Sequence, residues 1–324
     1  MNILILGGGG MLGQKLARAL LARGQLRGRP ISRLTLADVA PPNSLSGAQA
    51  VVCNIADADS VTATLAADTD VIFHLAAIVS SQAEAEFDLG LSINLDGTRH
   101  VLEAARRLGT CPVVVFTSSL GVYGGDVPDP ITDHTFLNPQ TSYGAQKAMG
   151  EMLLNDYSRR GFVDGRGFRL PTISVRPGAP NKAASGFMSS IFREPLKGQA
   201  ANCPVGPDYA HYYLSPHRCV ENLILGAELD ANDLGRNRCM IMPGRMWTIA
   251  QMIDAMTEVA GPAPAARITW TPQPEIARIV NGWRADLRAD RALSLGLQAD
   301  NSFADNIRAY LADDQPTSAA GEAR

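Results

Sequence analysis

The sequence predicts an α/β protein with a doubly wound parallel sheet and a smaller, mixed α/β lobe after it. Three observations support this prediction: short runs rich in Val, Ile and Leu alternate with helix-like stretches, those runs are almost continuously apolar, and the alternation stops after Pro177. Alternating strands and helices are typical of βαβ units around a parallel sheet. Strands that helices cover on both faces lack the polar alternation of half-exposed strands.

The first part of the chain contains most of the predicted elements. The predicted strands are residues 2–6, 34–37, 50–53, 71–75, 113–117 and 174–176, and the predicted helices are residues 12–23, 60–67, 83–108 and 142–160. Gly24, Gly109 and Gly161 follow three of these helices, where a left-handed C-cap favours glycine. These elements predict a nucleotide-binding domain over residues 1–177.

A breaker cluster, Pro177-Gly178-Ala179-Pro180-Asn181, marks the beginning of the second part. We expect a substrate-binding lobe over residues 178–312, with helices at 219–229, 249–260 and 303–311, and some of its segments can return to the first domain. Residues 313–324 are small and polar, and we expect a frayed tail there.

Composition excludes several classes of protein. The chain has 324 residues, 46% of them hydrophobic and 19% charged, with a net charge of −3 and no cluster of Lys or Arg that would bind nucleic acid. We find no apolar run long enough to span a membrane, and the N-terminus reads as a strand rather than an export signal. The five cysteines are scattered without a Cys-x-x-Cys pair, so we expect reduced thiols, no metal site and a cytoplasmic location.

A glycine-rich loop connects the first predicted strand to the first predicted helix. Two registers fit it: Gly7-x-x-Gly10-x-x-Gly13 and Gly8-x-Gly10-x-x-Gly13. Between a strand and a helix, glycines permit a tight turn and let a pyrophosphate approach the amides at the helix N-terminus. We therefore predict a Rossmann-type dinucleotide site whose loop contacts come from Gly7, Gly10, Met11, Leu12 and Gly13.

An acidic residue follows at the end of the second predicted strand. Asp38 stands 25 residues after Gly13, close to where a carboxylate meets the ribose hydroxyls of the adenosine. A carboxylate there would repel the 2′-phosphate of NADP, and Val39-Ala40 offers no cation to receive it, so we predict NAD. Asn54 and Ile55, after the third predicted strand, are expected to border the adenine.

The sequence Tyr143-Gly144-Ala145-Gln146-Lys147 places a phenol and an ammonium four residues apart on one helix face. A tyrosine titrates near pH 10, and a nearby cation lowers this pKa toward neutrality. Such a phenol can exchange a proton with a substrate alcohol. The pattern also occurs by chance in helices, and its weight depends on the residues that accompany it.

Those accompanying residues are the hydroxyls at the end of the strand predicted at 113–117. In open α/β sheets, ligands bind at the carboxyl ends of the strands. We predict that Ser119 holds the substrate oxygen and that Ser118 contacts the substrate or the cofactor. The catalytic set is therefore predicted to be Ser119, Tyr143 and Lys147.

With these residues the chain resembles the extended short-chain dehydrogenase/reductase family, which includes the NAD-dependent epimerases and dehydratases. Further matching segments are His74-Leu75-Ala76-Ala77, Asn94-Leu95-Asp96-Gly97-Thr98 and Pro177-Gly178. The resemblance implies that Leu75 and Ala76 border the cofactor, that Asn94 maintains the helix and proton path near it, and that Tyr143, Lys147 and Pro177 contact it. We interpret His74 as a core residue.

The substrate prediction depends on the segments around Pro177. Residues 169–187 and 191–196 resemble the branch of D-erythronate dehydrogenases, which implies oxidation of the C2 hydroxyl of a small sugar acid. Arg176, Lys182 and Arg193 are candidates for binding its carboxylate, although each also reads as a surface cation or a strut.

Two other functions stay open. Dehydratases of this family carry an acidic pair where this chain has Leu120-Gly121, so dehydration is disfavoured. A nucleotide-sugar epimerase that retains its NAD is the main alternative, and a non-catalytic dinucleotide sensor is a lesser one. By analogy with the family we expect a homodimer joined through the helices predicted at 83–108 and 142–160.

Overall fold

The computed structural model describes residues 1–178, 184–283 and 286–314, and its elements are numbered here in chain order. The strands are β1 (Asn2–Leu6), β2 (Gln25–Leu26), β3 (Arg29–Pro30), β4 (Arg33–Asp38), β5 (Gln49–Val52), β6 (Val71–His74), β7 (Val113–Ser119), β8 (Asp164–Leu170), β9 (Thr172–Ile173), β10 (Ala201–Asn202), β11 (Ala210–Leu214), β12 (Cys239–Ile241), β13 (Arg245–Thr248) and β14 (Ile268–Thr269). The α-helices are α1 (Met11–Arg23), α2 (Ala58–Thr64), α3 (Ser80–Ala85), α4 (Phe87–Gly90), α5 (Gly97–Leu108), α6 (Ser142–Arg159), α7 (Phe187–Leu196), α8 (Pro216–Glu228), α9 (Ile249–Ala260), α10 (Pro262–Ala265), α11 (Pro274–Asn281), α12 (Asp290–Ser294) and α13 (Phe303–Asp314). A π-helical segment occupies Leu91–Asp96, and 3₁₀ turns occupy Leu120–Val122 and Ala184–Gly186.

A seven-stranded parallel sheet organises the first part of the chain. Its order is β12-β8-β7-β6-β1-β4-β5, and each neighbouring pair runs parallel. From β1 the chain builds outward through β4 and β5, then crosses to the other side of β1 and builds through β6, β7, β8 and β12. The predicted doubly wound fold is thus confirmed, and its topological switch point lies between β1 and β6.

The central strands are buried because both faces of the sheet are covered. In β7, Val113 to Ser118 are all buried, as the apolar run predicts. An apolar cluster joins the strands to α2, α5 and α6 through side chains such as Ile72, Val101 and Phe116. This core fixes where the carboxyl ends of β1, β6 and β7 stand relative to the helices.

The long helix predicted at residues 83–108 is broken into four segments, α3, α4, the π-helical segment and α5. The backbone leaves the helical conformation at Glu86, which has φ −121° and ψ 73°, and is helical again from α4 through the π-helical segment into α5. Buried Asn94 lies in the π-helical segment and bonds the backbone of Ile78 through both its oxygen and its nitrogen. π-Helical turns inside helices occur frequently at functional sites. Helix α5 ends as predicted, at Gly109 with a left-handed φ of 70°.

Residues 174–176 do not form the predicted strand, and the nearest strand, β9, ends before them at Ile173. The strand beside β7 is β8, whose sequence Asp-Gly-Arg-Gly-Phe-Arg-Leu has no apolar run. Gly165 and Gly167 are small because a Cβ there would stand 2.4 Å from the Ser158 hydroxyl and 2.5 Å from the Cys239 sulfur, respectively. Buried arginines with ionic partners take the place of the aliphatic residues that a buried strand usually shows.

The chain forms two compact units. The first contains residues 1–171, 220–243 and 287–298, and the second contains residues 172–219, 244–286 and the described residues from 299 onward. The first unit therefore ends six residues before the boundary predicted at 177. Two later segments return to it, and one of them supplies the edge strand β12.

The second unit has its own small sheets and core. Strands β9 and β13 flank β11, and β10 pairs with β14. Side chains from α7, α9 and α13 join the core of this unit, with Phe192, Met252 and Phe303 among its buried members. The helices predicted at 249–260 and 303–311 correspond to α9 and α13, and α13 continues to Asp314. The remainder of the predicted tail, residues 315–324, lies outside the described residues.

Candidate active site

The glycine loop between β1 and α1 is packed so closely that side chains are excluded. Gly7 has a φ of 85°, and a Cβ there would stand 2.7 Å from the backbone nitrogen of Ala76. A Cβ at Gly13 would stand 2.2 Å from the carbonyl oxygen of Gly7, and one at Gly8 would stand 2.8 Å from the Cβ of Leu36. The loop therefore turns tightly at the carboxyl end of β1, beside the residues that follow β6.

The N-terminus of α1 follows this turn directly and has no side-chain cap. Gly10 is the N-cap, no side chain caps the helix, and no acidic residue lies in its first turn. Met11 and Leu12 begin the helix, and a helix N-terminus carries free N–H groups and a partial positive charge. A glycine cradle with backbone donors and no competing carboxylate fits the pyrophosphate of a dinucleotide.

Asp38 ends β4 beside the same loop. One carboxylate oxygen accepts a hydrogen bond from the backbone N–H of Gly9 at 2.9 Å, and the other accepts one from Val39 N–H at 2.8 Å. These two bonds fix the carboxylate, and an ionised carboxylate retains lone pairs for further donors such as ribose hydroxyls. The neighbouring Val39 side chain is 68% exposed.

The residues after β6 form the other wall of the loop. Leu75 and Ala76 contact Gly7 through their backbone, as the Cβ distances at Gly7 require. Asn94 is 1% exposed and donates a hydrogen bond from its amide nitrogen to Gln146 Oε1 at 2.8 Å. Because it also bonds Ile78, Asn94 ties the segment after β6 to the helix that carries Tyr143.

Asn54 and Ile55 follow β5. Asn54 is exposed, whereas Ile55 is buried in the core, where its side chain lies against Gly97. The predicted adenine border can therefore involve the exposed Asn54 side chain and the backbone of Ile55, but not the buried Ile55 side chain.

Helix α6 carries the tyrosine and the lysine. Its N-cap is Thr141, whose hydroxyl accepts from Gly144 N–H at 3.1 Å, and Glu84 accepts from Ser142 N–H at 2.8 Å. These two acceptors pair the N–H groups on either side of Tyr143 in the first turn of the helix. The start of α6 is therefore well defined, which fixes the position of the phenol.

Lys147 is 2% exposed and donates a hydrogen bond to the carbonyl oxygen of Thr117 at 2.8 Å. Its ammonium nitrogen lies 5.8 Å from the centre of the Tyr143 ring and 4.9 Å from that of Phe116. Burial lowers the pKa of Lys147 from its usual range to about 7, and the negative charge of Glu151 opposes this shift. The lysine therefore titrates near neutral pH beside the phenol.

Ser119 ends β7 and reaches the same place. Its hydroxyl oxygen accepts from Gly121 N–H at 3.0 Å. A Cβ at Gly121 would stand 3.3 Å from the Ser119 hydroxyl and 3.8 Å from the Cδ1 atom of Tyr143, so Gly121 lies between the two side chains. The structure thus brings Ser119, Tyr143 and Lys147 together at the carboxyl end of β7.

Ser118 requires a correction. We expected it to contact the substrate or the cofactor, but it is 2% exposed and its hydroxyl donates to Glu151 Oε1 at 2.5 Å. The physical reason is the alternation of side chains along a strand, which turns Ser118 to the face opposite Ser119. Ser118 is therefore a buried structural contact.

Two of the predicted carboxylate ligands, Arg176 and Arg193, belong to the second unit. Arg193 is 4% exposed and donates to Glu194 at 2.7 Å and to the carbonyl oxygen of Arg176 at 3.0 Å. The guanidinium of Arg193 therefore makes structural contacts inside this unit, and the prediction that it binds the substrate is corrected. Arg176 and Pro177 are partly exposed, and Lys182 lies outside the described residues.

His74 lies in the core, as its sequence context predicts. This histidine is 2% exposed and pairs with the Thr98 hydroxyl at 3.0 Å. Burial, assisted by the charge of Lys147, lowers the pKa of His74 to about 3. The residue is therefore neutral at physiological pH.

Sequence reasoning missed three residues around the site: Gln146, Glu151 and Arg169. Glu151 follows Lys147 by four positions, the same spacing that links Tyr143 to Lys147. That spacing was the available signal for Glu151. Nothing in the irregular sequence of β8 marked Arg169 as its partner.

In the described parts of the chain, no group of three or more His, Cys, Asp or Glu side chains is arranged to hold a metal ion. Within the same parts, none of the helices combines the length and the apolar character that crossing a membrane requires.

Comparison with known proteins places this architecture in a family. The model of the NAD dependent epimerase/dehydratase family matches residues 3–209. A D-erythronate dehydrogenase of Cupriavidus necator is 53% identical over 97% of this chain and 98% of its own length, and one of Haemophilus influenzae is 41% identical over 96% and 99%. A solved structure described as a nucleoside-diphosphate-sugar epimerase from Agrobacterium tumefaciens is 45% identical, with a TM-score of 0.93 over 97% of this chain and 94% of that one. The chain therefore belongs to the NAD-dependent epimerase/dehydratase family, within the extended short-chain dehydrogenases/reductases.

Proposed function

We propose that this chain catalyses the NAD-dependent oxidation of the C2 hydroxyl of D-erythronate to give 2-oxo-D-erythronate. The observation that carries the proposal is the meeting of Ser119, Tyr143 and Lys147 at the carboxyl end of β7. Two relatives that match nearly the whole chain are named D-erythronate dehydrogenase, which supports this substrate. The predicted dehydrogenase acting on a CH–OH group agrees with both names.

The first unit offers the residues that would hold NAD. The pyrophosphate fits the glycine loop from Gly7 to Gly13 and the N-terminus of α1, where a side chain would fill the space. Asp38 would accept hydrogen bonds from the adenosine ribose, and Lys147 would donate to the nicotinamide ribose. When bound, NAD⁺ supplies the acceptor for the hydride that leaves C2.

Proton transfer falls to the side chains of this chain. Tyr143, as phenolate, accepts the proton of the C2 hydroxyl while the hydride departs, so the alcohol loses one proton and one hydride and becomes a ketone. Ser119 donates a hydrogen bond to the reacting oxygen and orients it. The positive charge of Lys147 stabilises the phenolate, because opposite charges at close range favour ionisation.

The carboxylate of the substrate needs a cation. Arg176, one of the three cations predicted from the sequence, is our candidate for this role. An arginine suits this role because its planar donors match a carboxylate. Substitution of Arg176 by Gln should raise the KM for erythronate more than it lowers kcat.

An epimerase acting on a nucleotide sugar is the second candidate. It is favoured by the description of the 45% identical Agrobacterium structure. Both functions use the same phenol and cofactor, but an epimerase returns the hydride to its substrate and releases no NADH. The two candidates therefore differ in a measurable product.

One assay separates them. The purified protein is incubated with NAD and either C4 sugar acids or nucleotide sugars, while NADH absorbance and sugar interconversion are both followed. Sustained NADH formation with D-erythronate supports the dehydrogenase, and interconversion without NADH supports the epimerase. A Tyr143→Phe variant should bind NAD normally and lose about 10²–10⁴-fold in kcat, and wild-type turnover by this variant would refute the mechanism.

We also propose that the protein acts as a homodimer in the cytoplasm. Met149 and Met152 are 40% and 56% exposed on α6, and Phe87 is 56% exposed on nearby α4. Exposed apolar side chains on helices that pack together are typical of surfaces between subunits.

A further inference from the structure

We propose that Glu151, which accepts hydrogen bonds from Ser118 and Arg169, is a positioning residue. It aligns α6 with β7 and balances the buried charge near Tyr143 and Lys147. This inference rests on the proposed function for its kinetic consequences. Its structural part concerns contacts that the proton-transfer mechanism does not use.

Glu151 lies on the same face of α6 as Tyr143 and Lys147. Tyr143, Lys147 and Glu151 follow one another at intervals of four residues, which brings them to the side of the helix that faces the sheet. Glu151 is fully buried, and Lys147 is 2% exposed. A buried carboxylate costs free energy unless it is paired and hydrogen-bonded, so its partners determine what it does.

The hydrogen bonds to this carboxylate come from two adjacent strands, β7 and β8. Arg169 donates to both oxygens, from Nε to Oε1 at 3.0 Å and from Nη2 to Oε2 at 2.7 Å, and Ser118 donates to Oε1 at 2.5 Å. Ser118 and Arg169 are direct register partners in the β7–β8 ladder. A single carboxylate thus ties α6 to two strands at one point.

The contact of Glu151 with Ser118 and Arg169 lies close to the residues of the candidate active site. Ser118 immediately precedes Ser119, and Glu151 lies one turn beyond Lys147 on the same helix. A bidentate contact between Arg and a carboxylate fixes orientation as well as distance. Rotation or sliding of α6 against β7 would break it, so the contact holds the phenol in register with the Ser119 hydroxyl.

The same pair also sets the local charge. The groups that face Lys147 are Tyr143 and Glu151 on its own helix, Phe116 and the Thr117 carbonyl on β7, and neutral His74 on β6. The carboxylate among them is Glu151, and its charge is offset by Arg169 on β8, which is 3% exposed. Arg169 also donates to the Tyr123 hydroxyl at 2.6 Å, and Asp133, Cys239 and Arg291 interact with it electrostatically. Removal of Glu151 or of Arg169 therefore changes the net charge of this buried cluster by one unit.

A solely structural role and the proposed role give different results. Glu151→Gln keeps the size and an acceptor for Ser118 but removes the negative charge that faces both Lys147 and Arg169. The acidic limb of the kcat/KM profile reports the coupled ionisation of Tyr143 and Lys147, since the pKa of Lys147 is about 7, and loss of the carboxylate should move this limb to lower pH by about one unit. A charge several ångström away at an effective dielectric of about 20 has an effect of this size.

Arg169→Met leaves the negative charge of Glu151 instead, so the same limb should move to higher pH. The double variant Glu151→Gln/Arg169→Met removes both charges, so its pH profile should return to that of the wild type. Its turnover should stay low, because the bidentate contact between the two side chains is lost. Glu228→Gln, which breaks the ion pair with Arg23 in the same unit, is the matched control and should leave the profile unchanged.

A spectroscopic titration keeps the test independent of turnover. The tyrosinate absorbance of Tyr143, taken as the difference between each protein and the same protein with Tyr143→Phe, should titrate at lower pH in Glu151→Gln and at higher pH in Arg169→Met. If the wild type forms no NADH with any sugar acid, the proposed function fails while this titration still tests the charge balance.

If Glu151→Gln or Arg169→Met does not fold, Arg169→Lys and the double variant still test the proposed role of Glu151. Arg169→Lys keeps the charge but cannot make the bidentate contact, so it should retain the wild-type titration and lose turnover about tenfold or more. Unshifted titrations in both single variants would overturn the charge role. Wild-type turnover in Arg169→Lys or in the double variant would overturn the positioning role.

Discussion

Gly144 lies directly against the carbonyl oxygen of Gly121, since a Cβ at position 144 would stand 2.1 Å from that oxygen. The contact joins the first turn of α6 to the turn that follows β7. Tyr143 immediately precedes Gly144 on the helix, and Ser119 lies two residues before Gly121 at the end of β7. The absence of one side chain therefore allows the phenol and the serine hydroxyl to approach each other.

Gly144→Ala is expected to separate these two elements. The added methyl group meets backbone atoms, which cannot rotate away, so the start of α6 must move. Misplacement of reacting groups by about 1 Å can cost about a hundredfold in rate. We expect kcat for NADH formation to fall by about this factor, with a much smaller change in the Kd for NAD measured by fluorescence.

Gly206→Ala is the matched control, because nothing lies within 4 Å of a Cβ at that position. It should leave kcat and NAD binding unchanged. Gly144→Ala with wild-type kcat would show that the close approach of α6 to the Gly121 turn does not determine the geometry of the site.

Cofactor preference should change at the end of β4. Replacing Asp38 by Ser keeps a hydroxyl acceptor for Gly9 N–H but removes the carboxylate, and replacing exposed Val39 by Arg supplies a cation for a 2′-phosphate. The double variant should lower the ratio of kcat/KM for NAD to kcat/KM for NADP by about a hundredfold, since one charge-assisted contact is worth about 1.5–3 kcal/mol and a repulsion is also relieved. Val39→Gln alone is the control, and an unchanged ratio in the double variant would refute the role of Asp38.

Lys147 should weaken the fold at low pH. Its pKa is about 7 in the folded protein and near 10.5 when unfolded, so between these values the unfolded chain binds one more proton. The free energy of unfolding therefore rises with pH through this window, and the cost of the buried ammonium is greatest below it. Lys147→Met should be more stable than the wild type at about pH 6, by about 1–3 kcal/mol after the loss of the bond to Thr117.

Urea unfolding measures this difference, and the advantage of Lys147→Met should shrink when the experiment is repeated at about pH 9. The variant should also lose nearly all NADH formation. A stability difference that does not vary with pH would contradict the assigned burial of the ammonium.

Several features of this fold could be predicted from sequence because they depend on local patterns. The glycine loop and Asp38 follow from strand, turn and helix signals within 40 residues, and strands β1, β6 and β7 are marked by apolar runs. The i, i+4 spacing of Tyr143 and Lys147 similarly identifies one helix face. Such signals need no knowledge of distant contacts.

Other features depend on contacts between residues far apart in the chain. Strand β8 was missed because Arg166 and Arg169 are buried in it, and their pairing with Asp164 and Glu151 becomes apparent only in the folded structure. The assignment of Arg193 to the substrate failed for the same reason, since its partner carbonyl belongs to Arg176, seventeen residues away. A charged side chain reads as a surface or ligand residue until its buried partner is known.

His74 should make the protein sensitive to acid. Its pKa is about 3 when folded and near 6.5 when unfolded, so the unfolded chain binds the additional proton between these values. The free energy of unfolding therefore decreases as the pH falls from about 6.5, by up to about 1.4 kcal/mol per pH unit for this residue. His74→Gln should reduce that slope in urea titrations between about pH 6.5 and about pH 4, and an unchanged slope would contradict the assignment.

A dimer interface on α6 should be disrupted by a charge at its exposed apolar face. Met152→Asp places a carboxylate at a side chain that is 56% exposed in the isolated chain, so the monomer should fold normally while association becomes unfavourable. Light scattering should give twice the chain mass for the wild type and a single chain mass for the variant. Leu293→Asp, at a 49% exposed apolar residue of α12, is the matched control and should remain dimeric. A wild-type monomer, or a Met152→Asp dimer as stable as the wild type, would exclude this surface as the interface.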